Sequence, residues 1–197
     1  MVLLIQYTLL FASVLLLVAL GGCFSEHSGV INIALEGIMV VGGLAGVLVT
    51  ASMPTTMAPA LIVLAAVVAA AVCGMLYSLL LAFASINLKA DQTIGGTALN
   101  LLSTAIALVV AKRYNGSQSA KLSYDNSPFI FQIGGLTVNV FLIIGLVLLA
   151  ISIVLLYKTR FGLRLQACGE HPQAAGSVGI NVYKMRWAGV LISGVLG

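Results

Sequence analysis

Residues Tyr157–Trp187 read YKTRFGLRLQACGEHPQAAGSVGINVYKMRW and separate two apolar segments. Five of the nine Lys and Arg residues fall in this stretch, which is too polar to lie among lipid tails. Cytoplasmic loops of membrane proteins carry an excess of Lys and Arg, so residues 158–187 are predicted to form a cytoplasmic loop. Pro172 fits the first turn of a helix and Gly179 a helix stop, which predicts a short helix over residues 173–178. Such a short helix is marginal alone, so we expect it to dock into a partner.

The composition is that of an integral membrane protein. Hydrophobic residues make up 61% of the chain and charged residues 7%, and the mean hydropathy is +1.16. These values lie outside the range of soluble domains. The net charge of +4 comes from one loop, so there is no extended basic face and no nucleic-acid partner is expected. Cysteine and histidine residues are scattered without metal-ligand spacing, so no metal site is predicted.

Five apolar stretches are long enough to cross a bilayer. We expect spans at residues 2–22, 30–51, 58–86, 93–111 and 136–156, and the start of a sixth at residues 188–197. The predicted fold class is therefore all-α, a polytopic transmembrane helical bundle that forms a single domain over residues 1–197. Because ten residues cannot cross a bilayer, we expect the protein to be truncated at its C-terminus.

The longest polar stretch, residues 112–135, is predicted to be an extracytoplasmic loop with a short strand at residues 129–133. The side of the membrane that holds residues 158–187 collects six Lys and Arg residues, and the opposite side collects three. The more basic side is expected to be cytoplasmic, which places the N-terminus and the 112–135 loop outside.

Glu36 is an ionisable residue inside a predicted span. An ionisable side chain is costly to place in lipid and is therefore taken first as part of a functional site. Glu36 is accordingly a candidate for the substrate path. It lies only six residues into its span, so a hydrated or assembly role near the surface remains an alternative. Asn32 lies one turn earlier on the same face and is a second candidate.

Glycines recur along the same span. Gly42 and Gly46 form a small-xxx-small pair, and Gly37 and Gly43 lie nearby. The spacing predicts tight helix packing rather than ligand contact.

The fourth span carries a polar stripe of Thr97, Asn100 and Thr104 along one helical face. The stripe either lines an aqueous path for a hydroxyl-rich or amide-bearing solute or makes hydrogen bonds between helices. The spacing does not distinguish these two roles.

Three motifs along the chain resemble motifs that occur in the same order in ATP-binding-cassette (ABC) importer permeases. SEHSGVINIALEG, residues 25–37, and IGGTALN, residues 94–100, are similar to motifs of the second and fourth spans in the branched-chain amino acid and simple-sugar permease family, nucleoside and simple-sugar branch. The basic loop resembles the cytoplasmic coupling segment, a Glu-Ala-Ala followed by a Gly. The residues assigned to ATPase coupling on this basis are Arg160, Gly162, Arg164, Glu170, Pro172, Ala174, Ala175, Gly176 and Gly179.

The resemblance implies a non-catalytic permease subunit for nucleosides or simple sugars in the plasma membrane of a prokaryote. Its expected partners are a second permease subunit, a cytoplasmic ATPase and an extracytoplasmic substrate-binding lipoprotein. None of the five lysines follows a glycine, so no GxxxxGK[ST] motif is present. ATP and Mg are therefore expected in the partner ATPase, and no cofactor is expected in this chain.

Two other functions remain open at the level of sequence. An ion-gradient-driven carrier would use Glu36 as a proton site and would need no ATPase. A membrane scaffold would transport nothing.

Overall fold

The computed structural model describes residues 2–54, 57–116, 121–123, 127–133 and 136–197. The helices in these residues are α1 Val2–His27, α2 Leu35–Ser52, α3 Pro59–Ala82, α4 Gln92–Asn115, α5 Val140–Lys158, α6 Arg160–Glu170, α7 Pro172–Ser177 and α8 Val182–Leu196. A π-helical segment, Phe83–Asn87, extends α3, and a short 3-10 helix, Ser127–Phe129, precedes two short strands, β1 Ile130–Ile133 and β2 Leu136–Asn139. Helices α1 to α5 are each long and apolar enough to cross a membrane, which confirms the five-span helical bundle.

Local sequence signals explain several helix ends. The carboxylate of Asp91 caps α4 by accepting hydrogen bonds from the N–H groups of Thr93 (2.8 Å) and Ile94 (3.1 Å). These backbone donors, Ile94 first, lower the pKa of Asp91. Gly116, with φ of 60°, ends the same helix in the left-handed conformation.

The connection between α1 and α2 differs from the prediction. Helix α1 continues to His27, five residues beyond the predicted end of the first span, and α2 begins at Leu35 rather than at Val30. The hydroxyl of Ser25 donates to the carbonyl of Val30 (2.6 Å), and the hydroxyl of Ser28 donates to the carbonyl of Ser25 (2.6 Å). These bonds stabilise a non-helical stretch, residues 28–34, that an apolar sequence did not reveal.

The predicted loop at residues 112–135 starts and ends about four residues later along the chain than expected. Helix α4 continues to Asn115, and the predicted strand is one half of an antiparallel hairpin that pairs Ile130 with Asn139. Helix α5 consequently begins at Val140 rather than at residue 136, with the Asn139 side chain as its cap. Residues 117–120, 124–126 and 134–135 of this loop lie outside the described residues.

Helix α8 packs into the bundle through small residues. Gly189 lies against Ser28 at the end of α1, and Gly194 lies against Ser78 in α3. A Cβ atom on Gly21 of α1 would come within 2.9 Å of the Ser193 carbonyl oxygen. The predicted sixth segment is therefore a helix in close contact with both α1 and α3.

The segments that connect successive spans at residues 28–34, 87–91 and 158–181 lie at one end of the bundle. Gly169, near the end of α6, packs against the carbonyl group of His27. The hydroxyl of Tyr183 in α8 donates to Oδ1 of Asn87 (2.7 Å).

Candidate functional site

The basic loop begins with a sharp turn from α5 into α6. The hydroxyl of Thr159 donates to the carbonyl of Leu155 (2.5 Å), and its oxygen accepts from the N–H of Gly162 (3.2 Å). Gly162 lies directly on the carbonyl groups of Leu155 and Leu156, where a side chain has no room. We call residues Leu155–Gly162 the elbow.

Helix α6 was not predicted, because the charge of the loop obscured its pattern. Phe161, Leu165 and Cys168 recur at helical spacing and face the protein, whereas Arg160 and Arg164 are exposed. Basic residues of the loop also belong to helices: Lys184 and Arg186 lie in α8. The predicted loop is therefore mostly helical.

Helix α6 is fixed to the ends of two spans. Leu165 packs with Phe24 of α1 and Leu156 of α5 in one buried cluster. The side-chain amide of Gln166 donates to the carbonyl of Leu156 (3.1 Å). Burial raises the pKa of the Cys168 thiol, although the nearby Arg186 opposes the shift, so this thiol is a packing group rather than a nucleophile.

Helix α7, Pro172–Ser177, starts at the proline and ends before Gly179, as predicted. Gly179 has φ of +84°, and its N–H donates to the carbonyl of Gly176 (3.0 Å). Ala175 is buried against the chain. By contrast, no described atom lies within 4 Å of the position that a Cβ atom on Gly176 would take. The exposed residues of α7 are Gln173, Ala174, Gly176 and Ser177, and Val178, just after the helix, is exposed as well.

The predicted coupling residues therefore divide by exposure. Gly162 and Ala175 are buried within the chain, and Pro172 is half-buried. The exposed ones are Arg160, Arg164, Glu170, Ala174, Gly176 and Gly179.

Asn100 forms hydrogen bonds between helices. Its Oδ1 accepts from the N–H of Gly37 (2.8 Å) and its Nδ2 donates to the carbonyl of Ile33 (3.0 Å). The side chain thus caps the start of α2 from α4 and holds the non-helical stretch in place. Both ends of the amide are used, which favours the packing alternative over the substrate path.

Replacing Asn100 with Leu is expected to destabilise the protein. The N–H of Gly37 and the carbonyl of Ile33 would each lose a partner, at a cost of about 1–3 kcal/mol. Thermal unfolding in mild detergent measures this loss. Thr104→Val is the matched control, because the Thr104 hydroxyl bonds only to the Asn100 carbonyl of its own helix (3.1 Å). Equal melting temperatures for the two variants would contradict the capping role.

Asn32 also faces the interior of the bundle. It is 6% exposed, and its Nδ2 donates to the hydroxyl of Ser193 in α8 (2.8 Å). Its Oδ1 is buried and accepts no hydrogen bond from the described residues. Asn32 therefore joins the non-helical stretch to α8.

The other three path candidates lie on one exposed face between α2 and α4. Glu36, Thr97 and Thr104 are all exposed. A groove of about 340 Å³ runs along this face, lined by Val40, Gly43, Leu44, Val47, Thr104, Ala107, Leu108, Ala111 and Leu122. On α2, Glu36 precedes Val40, Gly43 and Val47 at helical spacing, so it lies on the groove side of the helix. We call this surface the α2–α4 groove.

Three of the four predicted packing glycines lie in close helix contacts. A Cβ atom on Gly37 would lie 2.9 Å from Oδ1 of Asn100, one on Gly42 3.3 Å from the Ala70 carbonyl oxygen, and one on Gly46 3.6 Å from that of Ala66. Gly43 differs, since no atom of the described chain lies within 4 Å of its Cβ position. Gly43 therefore leaves room in the groove instead of contacting a helix.

Acidic, histidine and cysteine side chains do not cluster. Among the residues that the structure describes, no group of three or more His, Cys, Asp or Glu residues could hold a metal ion.

Residues 4–197 match the family model described as branched-chain amino acid transport system, permease component. Comparison with solved structures gives no match. The chain is 42% identical over 204 residues to the guanosine ABC transporter permease protein NupQ of Bacillus subtilis (strain 168), which covers 96% of this chain and 63% of that protein.

Two further relatives are similar over nearly the same part of the chain. The nucleoside ABC transporter permease protein NupC of Lactococcus lactis is 40% identical, with 96% of this chain and 62% of the relative covered. The putative glucose ABC transporter permease protein TsgC13 of Haloferax volcanii is 34% identical, with 97% and 59% covered. The chain therefore spans about three fifths of the length of these relatives.

Proposed function

Because the chain belongs to the family of permease components of branched-chain amino acid transport systems, we propose that it is the transmembrane permease subunit of an ABC importer. The observation that carries the proposal is helix α7, which presents small, uncovered residues at the end of a firmly packed segment. A cytoplasmic ATPase that hydrolyses ATP with Mg would receive this face. The permease itself supplies no catalytic group.

Nucleosides are the proposed solutes. The two relatives at 40% identity or more are named as guanosine and nucleoside permeases, whereas the sugar permease is less similar. Nucleosides and simple sugars are both neutral and rich in hydroxyl groups. Such groups could form hydrogen bonds with the Thr side chains and the carboxylate on the α2–α4 face.

The proposed mechanism moves α7 with the ATPase. Closure of two ATPase subunits around ATP would displace α7, while exposed cations such as Arg160, Arg164 and Lys184 contact the rim of the partner. The displacement would pass to the spans through α6 on one side and through α8 on the other, because both helices pack on the bundle. The spans would then alternate between outward and inward access.

The assembly that follows has three further components. A second permease subunit would complete the membrane domain, and an extracytoplasmic lipoprotein would deliver the solute. The location would be the plasma membrane of a prokaryote, with α6 and α7 on the cytoplasmic side, as the excess of Lys and Arg favours.

Reconstituted transport tests the proposal. The permease, assembled with its partner subunits in proteoliposomes, is expected to take up radiolabelled nucleoside only when ATP and Mg reach the ATPase side, and to retain the ATPase through purification in mild detergent. A pH gradient without ATP should drive no uptake. Uptake that follows the pH gradient and ignores ATP would contradict the importer and favour the carrier that uses Glu36.

A further inference from the structure

Glu36 lies deep in the membrane domain. The N–H of the next residue, Gly37, bonds to Asn100, which is eight residues beyond Gln92 at the start of α4. At 1.5 Å per residue, this level is about 12 Å along α4 from the polar turn. The hydrocarbon core is about 30 Å thick, so its midplane lies about 15 Å from either edge. The non-helical stretch brings the chain to this depth before α2 begins.

The Glu36 carboxylate has no partner within the part of the chain that the structure describes. It is exposed at the surface of the bundle rather than buried in it. An unpaired carboxylate at this depth is costly in lipid, and such residues almost always face protein or a water-filled cavity. The α2–α4 face is therefore not a lipid-facing surface.

The composition of the exposed faces supports the same conclusion. Helices α1, α3 and α5 expose large apolar side chains, among them Phe11 and Leu15, Leu64 and Leu76, and Ile143 and Val147. The α2–α4 face also exposes apolar side chains, such as Leu101 and Leu108, but it adds Glu36, the open Gly43, Thr97 and Thr104. Its groove extends toward Leu122, which follows α4 at the end of the bundle remote from α6 and α7. A solute entering from that end would reach Glu36 at the level of the midplane.

Among the polar side chains near this face, Glu36 has the largest unused capacity for hydrogen bonds. The Asn100 amide is committed at both ends, and the hydroxyl of Thr97 donates to the carbonyl of Thr93 (2.9 Å). The hydroxyl of Thr104 donates to the carbonyl of Asn100 in the same way. An ionised carboxylate offers two acceptor oxygens, and its hydrogen bonds are stronger than those between neutral groups.

We propose that Glu36 recognises the transported solute by accepting hydrogen bonds from two adjacent donors with its two carboxylate oxygens. The inference rests on the proposed function and specifies its ligand chemistry: a neutral solute that carries paired donors. In a nucleoside, such pairs are the vicinal 2′- and 3′-hydroxyls of ribose and the N1–H and 2-amino groups of guanine. The second permease subunit would close the groove around the bound solute.

Competition by analogues in the reconstituted transporter tests the proposal. Unlabelled nucleosides compete with labelled guanosine for ATP-driven uptake. The competitors are guanosine itself, inosine, which lacks the 2-amino group, and the 2′-deoxy and 3′-deoxy nucleosides, which each lack one ribose hydroxyl. In the wild type, loss of a donor that contacts Glu36 is expected to weaken competition about 10- to 100-fold, either in the base or in the ribose. In Glu36→Gln, removing the same donor should weaken competition about tenfold less than it does in the wild type. The glutamine side chain keeps only one acceptor oxygen and carries no charge.

Two further variants make each outcome decisive. Met39→Gln introduces the same amide at an exposed residue about one turn further along α2 and leaves the Glu36 carboxylate in place, so it should keep the discrimination of the wild type. Where Glu36→Gln abolishes uptake altogether, Glu36→Asp, which keeps both oxygens, should restore the discrimination. Wild-type discrimination in Glu36→Gln would overturn the proposal, and so would loss of assembly with the second permease subunit. Absence of ATP-driven uptake in the wild type would instead overturn the proposed function.

Discussion

Changing Gly176 to Trp is expected to lower ATP-driven uptake roughly 30-fold or more without unfolding the permease. No atom in the described ranges lies within 4 Å of the Cβ position of Gly176, so an indole ring would meet no obstacle inside the chain. The same ring would prevent the small face of α7 from seating against the ATPase. Uptake, ATPase activity and yield of folded protein, measured on the same reconstituted sample, separate coupling from stability.

Gly95→Trp is the matched control for this variant. Gly95 lies in α4 near the same end of the bundle, and its Cβ position is also open in the described structure. The control should leave uptake close to that of the wild type. Ala175 is less suitable for the test, because its side chain is buried within the chain and a bulky replacement would distort α7 itself. Normal uptake by Gly176→Trp would refute the role of α7 in coupling.

The second large effect is expected at the elbow. A Cβ atom on Gly162 would overlap the carbonyl oxygens of Leu155 and Leu156, which belong to the last turns of α5 and cannot rotate away singly. Gly162→Ala should therefore open the turn between α5 and α6, at a cost of at least about 1–3 kcal/mol. The variant is expected to lose thermal stability in detergent and, in the proposed assembly, to release the ATPase.

The comparison for Gly162→Ala is Gly95→Ala. This substitution adds the same methyl group to a helix where no described atom is near, and alanine favours helix more than glycine does. Its melting temperature should match or exceed that of the wild type. If Gly162→Ala unfolds at the same temperature as Gly95→Ala, the elbow is not constrained as the structure indicates.

The sequence was sufficient for the features that depend on local composition. Runs of apolar residues predicted the five spans, and Pro172 with Gly179 predicted α7, because these signals act within a few residues. The break before α2 was not predictable in this way. Val30 to Ala34 is apolar apart from Asn32 and was predicted to belong to the second span, but its conformation depends on side chains such as Asn100, which is 67 residues from its partner Ile33.

In the candidate site, too, the sequence predicted what depends on local residues but not what depends on distant contacts. Glu36 was identified from its charge alone, and the structure shows it exposed on α2, one turn before the groove residue Val40. Asn32 and Thr97 share the polarity expected of a path, but only the fold shows that Asn32 bonds to Ser193, 161 residues away, while Thr97 remains exposed. Spacing along a helix defines a face. It does not define which other helix covers that face.

Helices α6 and α8, which flank α7 along the chain, both contact the C-terminal end of α1. Gly169 of α6 rests on the carbonyl of His27, and Gly189 of α8 rests on Ser28, so the two contacts lie one residue apart along the chain. A movement of α7 by either route must therefore act on the same point at the C-terminal end of the first helix. In the proposed importer that point would be a common pivot, and the tilt of the N-terminal helix would follow each cycle of the partner ATPase even though none of its residues was assigned to coupling.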